Sequence, residues 1–239
     1  MNFPATALAL LLCCSNAWAL PGELVLLAPS NLPMPMADFV DGRLHAGIIK
    51  DIGDVLAARL RRKVVFVVVP GRRVPLMLAE GKADGVCMVK PGWIDGELNW
   101  TAPLIPTGGV VLARTDAPVI ARLDELRGKR VGTVAGYRYR TMEAVLGKDF
   151  MRDDAPSGEP NLRKLVAGRT AYALMERSSA AYQVRHDKSH QLRMDITYEN
   201  DMARCAFSQA SKVPFGDIKV AIDGMIAERT VSRIMANYR

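Results

Sequence analysis

Residues 63–89 read KVVFVVVPGRRVPLMLAEGKADGVCMV, and the fold class is decided there. Lys63 to Val69 is a continuous β-branched run closed by Pro70-Gly71, the pattern of a buried strand ended by a turn. Val74 to Glu80 predicts a short helix stopped at Gly81, and Ala83 to Val89 a further strand. Upstream, Glu23 to Ala28 is another apolar strand, followed by a Pro-rich loop from Pro29 to Pro35 and an Asp41-Gly42 turn. Ile52, Val55, Leu56 and Leu60 then fall on one face of a helix. Residues 23–89 therefore alternate β-α-β-α-β, which predicts a parallel sheet covered by helices.

The alternation resumes downstream. Strands are predicted at 109–114, 130–135, 171–175 and 203–208, with a short turn or helix at 123–126. Helices are predicted from Gly136 to about Leu146, over 161–167 and over 178–185. Ile218, Ile222, Met225 and Ile226, then Val231, Ile234, Met235 and Tyr238, give two amphipathic helical segments at the end. The expected fold is α/β with two lobes, each a mostly parallel sheet flanked by helices.

Composition bounds the rest. The 239 residues are 49% hydrophobic and 24% charged, which excludes a wholly disordered or fibrous chain. The net charge of +7 and pI near 9.4 suit an anionic ligand, a membrane surface or a nucleic acid without choosing among them. Arg59, Arg61, Arg62, Lys63, Arg72 and Arg73 form a basic run, but no aromatic residues interleave it, so it reads as a solvated helix end. Residues 7–14 are an apolar block of eight, too short to span a bilayer, and Ala17-Trp18-Ala19 is an acceptable signal-peptidase site. We read residues 1–19 as a secretory signal peptide and expect an exported, periplasmic product; a buried N-terminal helix is the alternative. Cys13 and Cys14 leave with that segment. Cys87 and Cys205 remain, 118 positions apart, either as a disulfide or as two buried thiols. With three histidines and no Cys/His cluster, neither a metal site nor a cofactor is expected.

Several motifs in order resemble one family. Asp41-Gly42-Arg43-Leu44-His45-Ala46-Gly47 with Asp51-Ile52, Leu78 to Val86, Trp100-Thr101-Ala102-Pro103-Leu104, Leu123 to Gly132 and Leu165 to Arg169 are similar to successive elements of the bacterial type 2 periplasmic solute-binding proteins, family 3, the amino-acid-binding branch of ABC transporter receptors. The resemblance covers nearly all of residues 23–239. It implies lobe 1 from 20–107 and 209–239, hinge strands at 108–114 and 202–208, and lobe 2 from 115–201. It also implies a small polar ligand, amino-acid-like or an organic anion, held in the interlobe cleft by hinge closure. The implied partner is a membrane permease or a sensor domain, the chain is a monomer, and no nucleic acid is involved.

Candidate ligand-binding residues follow from position. Gly136 would open a helix whose N–H groups receive an anion, or simply make a turn. Tyr137 would add a hydroxyl, and Arg138 a cation or only a solvated charge. Glu176 stands where the family's amino-acid binders carry an acid for the ligand ammonium; a surface salt bridge with Arg177 or Arg185 is the alternative. In the first lobe the family clamps the α-carboxylate with an arginine, but Lys90 to Asn99 holds none. Lys90 would supply a point charge and Trp93 an apolar wall, unless Trp93 packs on its own lobe. Pro35-Met36 stands where the family has proline followed by an aromatic, which makes Met36 the corresponding lining residue. The competing function is an enzyme on the same fold, resembling a cyclohexadienyl dehydratase, with Glu176 as its acid or base.

Overall fold

A computed structural model describes residues 22–189 and 191–238; the signal segment expected at 1–19 lies outside the described residues. Strand β1 (Glu23–Pro29) is followed by a hairpin of β2 (Asp38–Val40) and β3 (Arg43–Ala46), then helix α1 (Ile48–Arg59). Next come β4 (Lys63–Val69), α2 (Val74–Ala79), β5 (Gly85–Val89), β6 (Leu98–Trp100) and β7 (Ile105–Arg114). The middle of the chain adds β8 (Arg130–Val134), α3 (Arg140–Leu146), β9 (Met151–Ala155), α4 (Gly158–Val166), β10 (Tyr172–Glu176) and α5 (Arg177–His186). Strand β11 (Leu192–Ser208) then crosses the molecule, and α6 (Phe215–Ala227) and α7 (Thr230–Ala236) follow it.

The principal sheet runs β4-β1-β5-β11-β7-β10-β8-β9, with β6 also on β11. Pairs β1/β4, β1/β5, β8/β10 and β8/β9 are parallel, whereas the pairs made by β7 and β11 are antiparallel. The predicted β-α-β-α-β start is thus a parallel unit, and it binds the rest of the molecule through β11. Helices α1, α6 and α7 bury Ile52, Leu56, Ile218, Ile222, Val231 and Ile234 against one face of the β4-β1-β5 side. Leu78, Val74 and Val86 fill the other face. A separate apolar cluster, including Val111, Leu126, Val131, Met142 and Leu174, fills the β7-β10-β8 side.

Strand β11 has 17 residues, far longer than the 203–208 segment expected from sequence. It pairs with β7 from Leu192 to Ala203 and with β5 from Arg204 to Phe207, so it changes neighbour between residues 203 and 204. Cys205 faces Cys87 in the β11–β5 register, and the two are joined as a disulfide. No helix among the described residues is long and apolar enough to cross a membrane.

Candidate functional site

The C-terminal ends of parallel strands on both sides of the sheet converge on one junction. In open α/β sheets these ends are where ligands sit. From one side come the segments following β1, β4 and β5, carrying Asn31, Gly71 and Lys90. From the other come those following β8 and β9, carrying Tyr137 and Gly158, together with Glu176 at the end of β10. The two sides touch directly. The Asn31 side-chain amide donates to the Tyr137 hydroxyl, the Gly158 N–H reaches the Asn31 carbonyl at 3.4 Å, and Arg138 Nη1 reaches the Gly92 carbonyl at 3.4 Å. On another flank Arg185 Nη2 donates to the Tyr238 carbonyl at 2.8 Å, while the Tyr238 hydroxyl accepts from Gly47 N–H and donates to Asp51.

Lys90 is the charged centre of this junction. It is 9% exposed, and its ammonium donates to Glu199 and, at 2.7 Å, to Asp201. The same ammonium lies 4.6 Å from the centre of the half-exposed Trp93 ring. Burial alone would lower the Lys90 pKa; the hydrogen bonds to Asp201 and Glu199 outweigh it and raise it. The Asp201 carboxyl is held below its usual range, first by the Lys90 hydrogen bond and next by the Met202 N–H. Sequence reasoning placed Lys90 here but missed both acids. Glu199 and Asp201 are two apart, the spacing that puts side chains on one face of a strand.

Glu176 forms no salt bridge with Arg177 or Arg185. Its side chain caps α5 by accepting from Ser179 N–H at 2.9 Å, and the Thr107 hydroxyl lies 3.5 Å from its other oxygen. Arg177 instead donates to Asn200, and Arg185 to Tyr238. Burial raises the Glu176 pKa, against the opposing effect of the Ser178 and Ser179 hydrogen bonds. Tyr198 lies over Gly109, whose register partner on β10 is Glu176; a Cβ on Gly109 would come 2.3 Å from the tyrosine ring, so any side chain there would displace it.

Two sequence expectations are corrected. Met36 does not line the junction: it is fully buried in the core beside α1. The loop before α1 turns inward because its carbonyls satisfy the first helical N–H groups, Ile48 to Pro35 and Ile49 to Met36. Gly136 does not open a helix, since α3 starts at Arg140 and has seven residues. Gly136 instead takes a left-handed turn, φ +80°. Residues past it are fixed non-locally: the buried Tyr139 hydroxyl accepts from Val134 N–H, and Arg152 donates to the Val134 and Tyr137 carbonyls. That loop presents Tyr137 and Arg138 to the opposite side.

Among the described residues no cluster of three or more His, Cys, Asp or Glu side chains is arranged to hold a metal. Two surface hollows, about 420 and 360 Å³, lie away from the junction, against α4 and at the start of β1. The first is lined by Arg163, paired with Glu159, Lys164, paired with Asp153, and Arg169. The second is lined in part by Asp84, whose carboxylate already accepts from Val25 N–H, Ser211 and Lys212 N–H.

No protein-family model matches the sequence, and no curated protein is similar to it at sequence level. Solved structures do share the fold. An ancestral arginine-binding protein bound to glutamine superposes with a TM-score of 0.77 at 18% identity, covering 92% of this chain and 99% of that one. An amino acid ABC transporter substrate-binding protein from Streptococcus pneumoniae, bound to L-arginine, gives 0.75 at 18%, covering 91% and 94%. The periplasmic VFT2 domain of BvgS from Bordetella pertussis gives 0.73 at 18%, covering 91% and 93%. The likeness spans nearly the full length of each and shows the same two-lobe α/β fold.

Proposed function

We propose that this two-lobe chain is a periplasmic solute-binding protein that closes on a small, amino-acid-like ligand and presents it to a transporter permease or a sensor domain. The observation that carries the reading is the junction itself. Strand ends from both lobes bring Lys90, Glu199, Asp201, Thr107 and Glu176 together, and direct bonds across the gap hold the lobes shut. Structures of the same fold are described as bound to glutamine or to L-arginine, which supports the ligand class. A periplasmic domain among them supports the compartment.

Of the two ligand classes expected from sequence, an amino-acid-like solute carrying a cation fits better than a plain organic anion. Glu199 and Asp201 share the one Lys90 ammonium, and Glu176, register partner of Gly109 on the other side of β7, has no cationic partner among the described residues. A ligand ammonium or guanidinium would therefore meet a local surplus of negative charge. The hinge strands expected at 108–114 and 202–208 are proposed with their swivel a few residues earlier, around 105–108 of β7 and 199–203 of β11, just before β11 changes neighbour. Beyond those points each strand is tied into one lobe, β7 by β10 from Gly109 and β11 by β5 from Arg204. Ligand entry would then require the Asn31–Tyr137 and Gly92–Arg138 contacts to open.

A thermal-shift screen of the mature chain against amino acids, organic acids and polyamines tests the reading, because a ligand bound only to the folded state raises the melting temperature. A saturable rise with cationic or zwitterionic solutes is expected, with a matching decrease in radius of gyration by small-angle scattering. No shift with any solute, or chemical turnover of the one that binds, would refute it.

A further inference from the structure

Strand β4 ends the principal sheet and is hydrogen-bonded to β1 alone. Lys63 N–H donates to the Gly22 carbonyl and Ser30 N–H to the Val69 carbonyl, so Lys63, Val65, Val67 and Val69 turn their backbone groups toward β1. Alternation along a strand then turns those of Val64, Phe66 and Val68 the other way. Among the described residues no backbone hydrogen bond reaches these three from the open side. The β2–β3 hairpin packs nearby but forms a separate two-stranded sheet. An unpaired strand of this length, with six apolar residues out of seven, is a template for another extended chain.

The ends of β4 say which chain. Arg61 and Lys63 stand exposed at its start, and Arg72 and Arg73 stand exposed just past its end. None of the four makes an ion pair or a side-chain hydrogen bond among the described residues, although the chain forms many such pairs elsewhere. The basic run seen in the sequence is thus split into two clusters, about 20 Å apart, that bracket an apolar edge. A second copy is disfavoured as the occupant. Antiparallel pairing of two β4 edges would set Arg61 against Arg73, and parallel pairing would set each cluster against its own copy. Both arrangements oppose like charges.

We propose that the open edge of β4 is a docking site for an extended, acid-flanked peptide segment of a partner protein, added as one more strand. Val64, Phe66 and Val68 supply three N–H and three carbonyl groups to the ladder, and the two basic clusters fix position by pairing with acids at the segment's ends. This assignment is independent of the cleft and of its ligand.

The test uses the mature chain and a fluorescent nine-residue peptide of sequence DETVTVTDE, read by anisotropy and by hydrogen exchange. Saturable binding that weakens with salt is expected, with the amides of Val64, Phe66 and Val68 becoming protected on binding. A variant carrying Arg61→Glu, Lys63→Glu, Arg72→Glu and Arg73→Glu should bind about tenfold or more weakly, with an unchanged melting profile. A control peptide with proline at its three central positions should not bind. The proposal is overturned by absence of saturation or by equal binding of the proline peptide. It is also overturned by equal binding of a single-stranded oligonucleotide, by protection that spares those three amides, or by sedimentation showing that the edge pairs two copies of this chain.

Discussion

Replacing Lys90 by methionine tests the charged centre of the junction most directly. Methionine keeps an apolar stem of similar length but removes the ammonium that Glu199 and Asp201 share. The Lys90 side chain is 11% exposed, and those of its partners are 38% and 47% exposed. The pairs therefore lie between exposed ion pairs, worth up to about 1 kcal/mol each, and buried ones, whose disruption costs about 3–5 kcal/mol. A loss of about 2 kcal/mol is expected at pH 7, partly offset by better burial of the methionine tip. For a chain of this size that lowers the melting temperature by about 4–8 °C.

The pH dependence separates this cause from a packing defect. The Asp201 pKa is depressed by Lys90, so its contribution is present above the unfolded carboxyl value and is lost as pH falls through the lower folded value. The Lys90 pKa is raised, so its contribution is present below the unfolded lysine value and is lost as pH rises through the higher folded one. The stability gap between wild type and Lys90→Met, measured by urea unfolding, should be flat between about pH 5 and 9 and narrow at both extremes. A gap below about 0.5 kcal/mol at neutral pH would refute the reasoning, as would one that persists unchanged at pH 3.

Three further outcomes are expected. Glu176→Ala removes the cap on α5 and should cost about 1 kcal/mol, whereas Glu176→Gln keeps an acceptor and should cost less; calorimetry with the bound solute should show weaker binding of a cationic ligand by both, and unchanged affinity removes Glu176 from the site. Reduction of Cys87–Cys205, or replacement of both by serine, should lower the unfolding free energy by about 2–4 kcal/mol, seen as a lower urea midpoint; an equal midpoint with and without reductant would show that the bond does not form in solution. Tyr238→Phe removes the hydroxyl shared by Gly47 and Asp51 and should cost about 1–2 kcal/mol, visible as faster amide exchange at the start of α1, and unchanged exchange there would count against the assignment.

Local pattern was enough for the start of the chain. Strand β4 runs from Lys63 to Val69, as its β-branched run predicts, and α1 carries Ile52, Val55 and Leu56 on its inner side, with Leu60 just past its end packed on the same cluster. The long first part of β11 was not legible, because Arg193, Asp195, Glu199 and Asp201 give it the texture of a polar loop. It is a strand because the buried β7 needs a partner along its whole length. The same gap hid the acids that meet Lys90. The helix expected at Gly136 begins four residues later because Tyr139 and Arg152 hold the intervening loop, and neither bond has a local signal. Met36 was misplaced for a different reason: it was carried over from the family's proline-aromatic motif position, whereas here the Pro35 and Met36 carbonyls accept from the first N–H groups of α1 and the side chain is buried.

These features meet on β11 and make charge and lobe geometry a single problem. The disulfide pins β11 to β5 at Cys205, and Arg204 adds a bond to the Thr101 carbonyl at 3.0 Å. From residue 204 onward β11 is therefore fixed to the β4-β1-β5 side of the sheet. Lys90 rides on that same rigid unit, directly after β5, while Glu199 and Asp201 lie on the part of β11 held by β7. Any rotation of the lobes must pass through the few residues between, so it must also change how closely the ammonium faces its two carboxylates. A cationic ligand that competes for those carboxylates would weaken the bond across the swivel at the same moment that it adds contacts of its own. The angle between lobes in the closed, bound state should accordingly depend on how the ligand and Lys90 share those carboxylates, and a signal of that kind is what a permease or sensor domain would read.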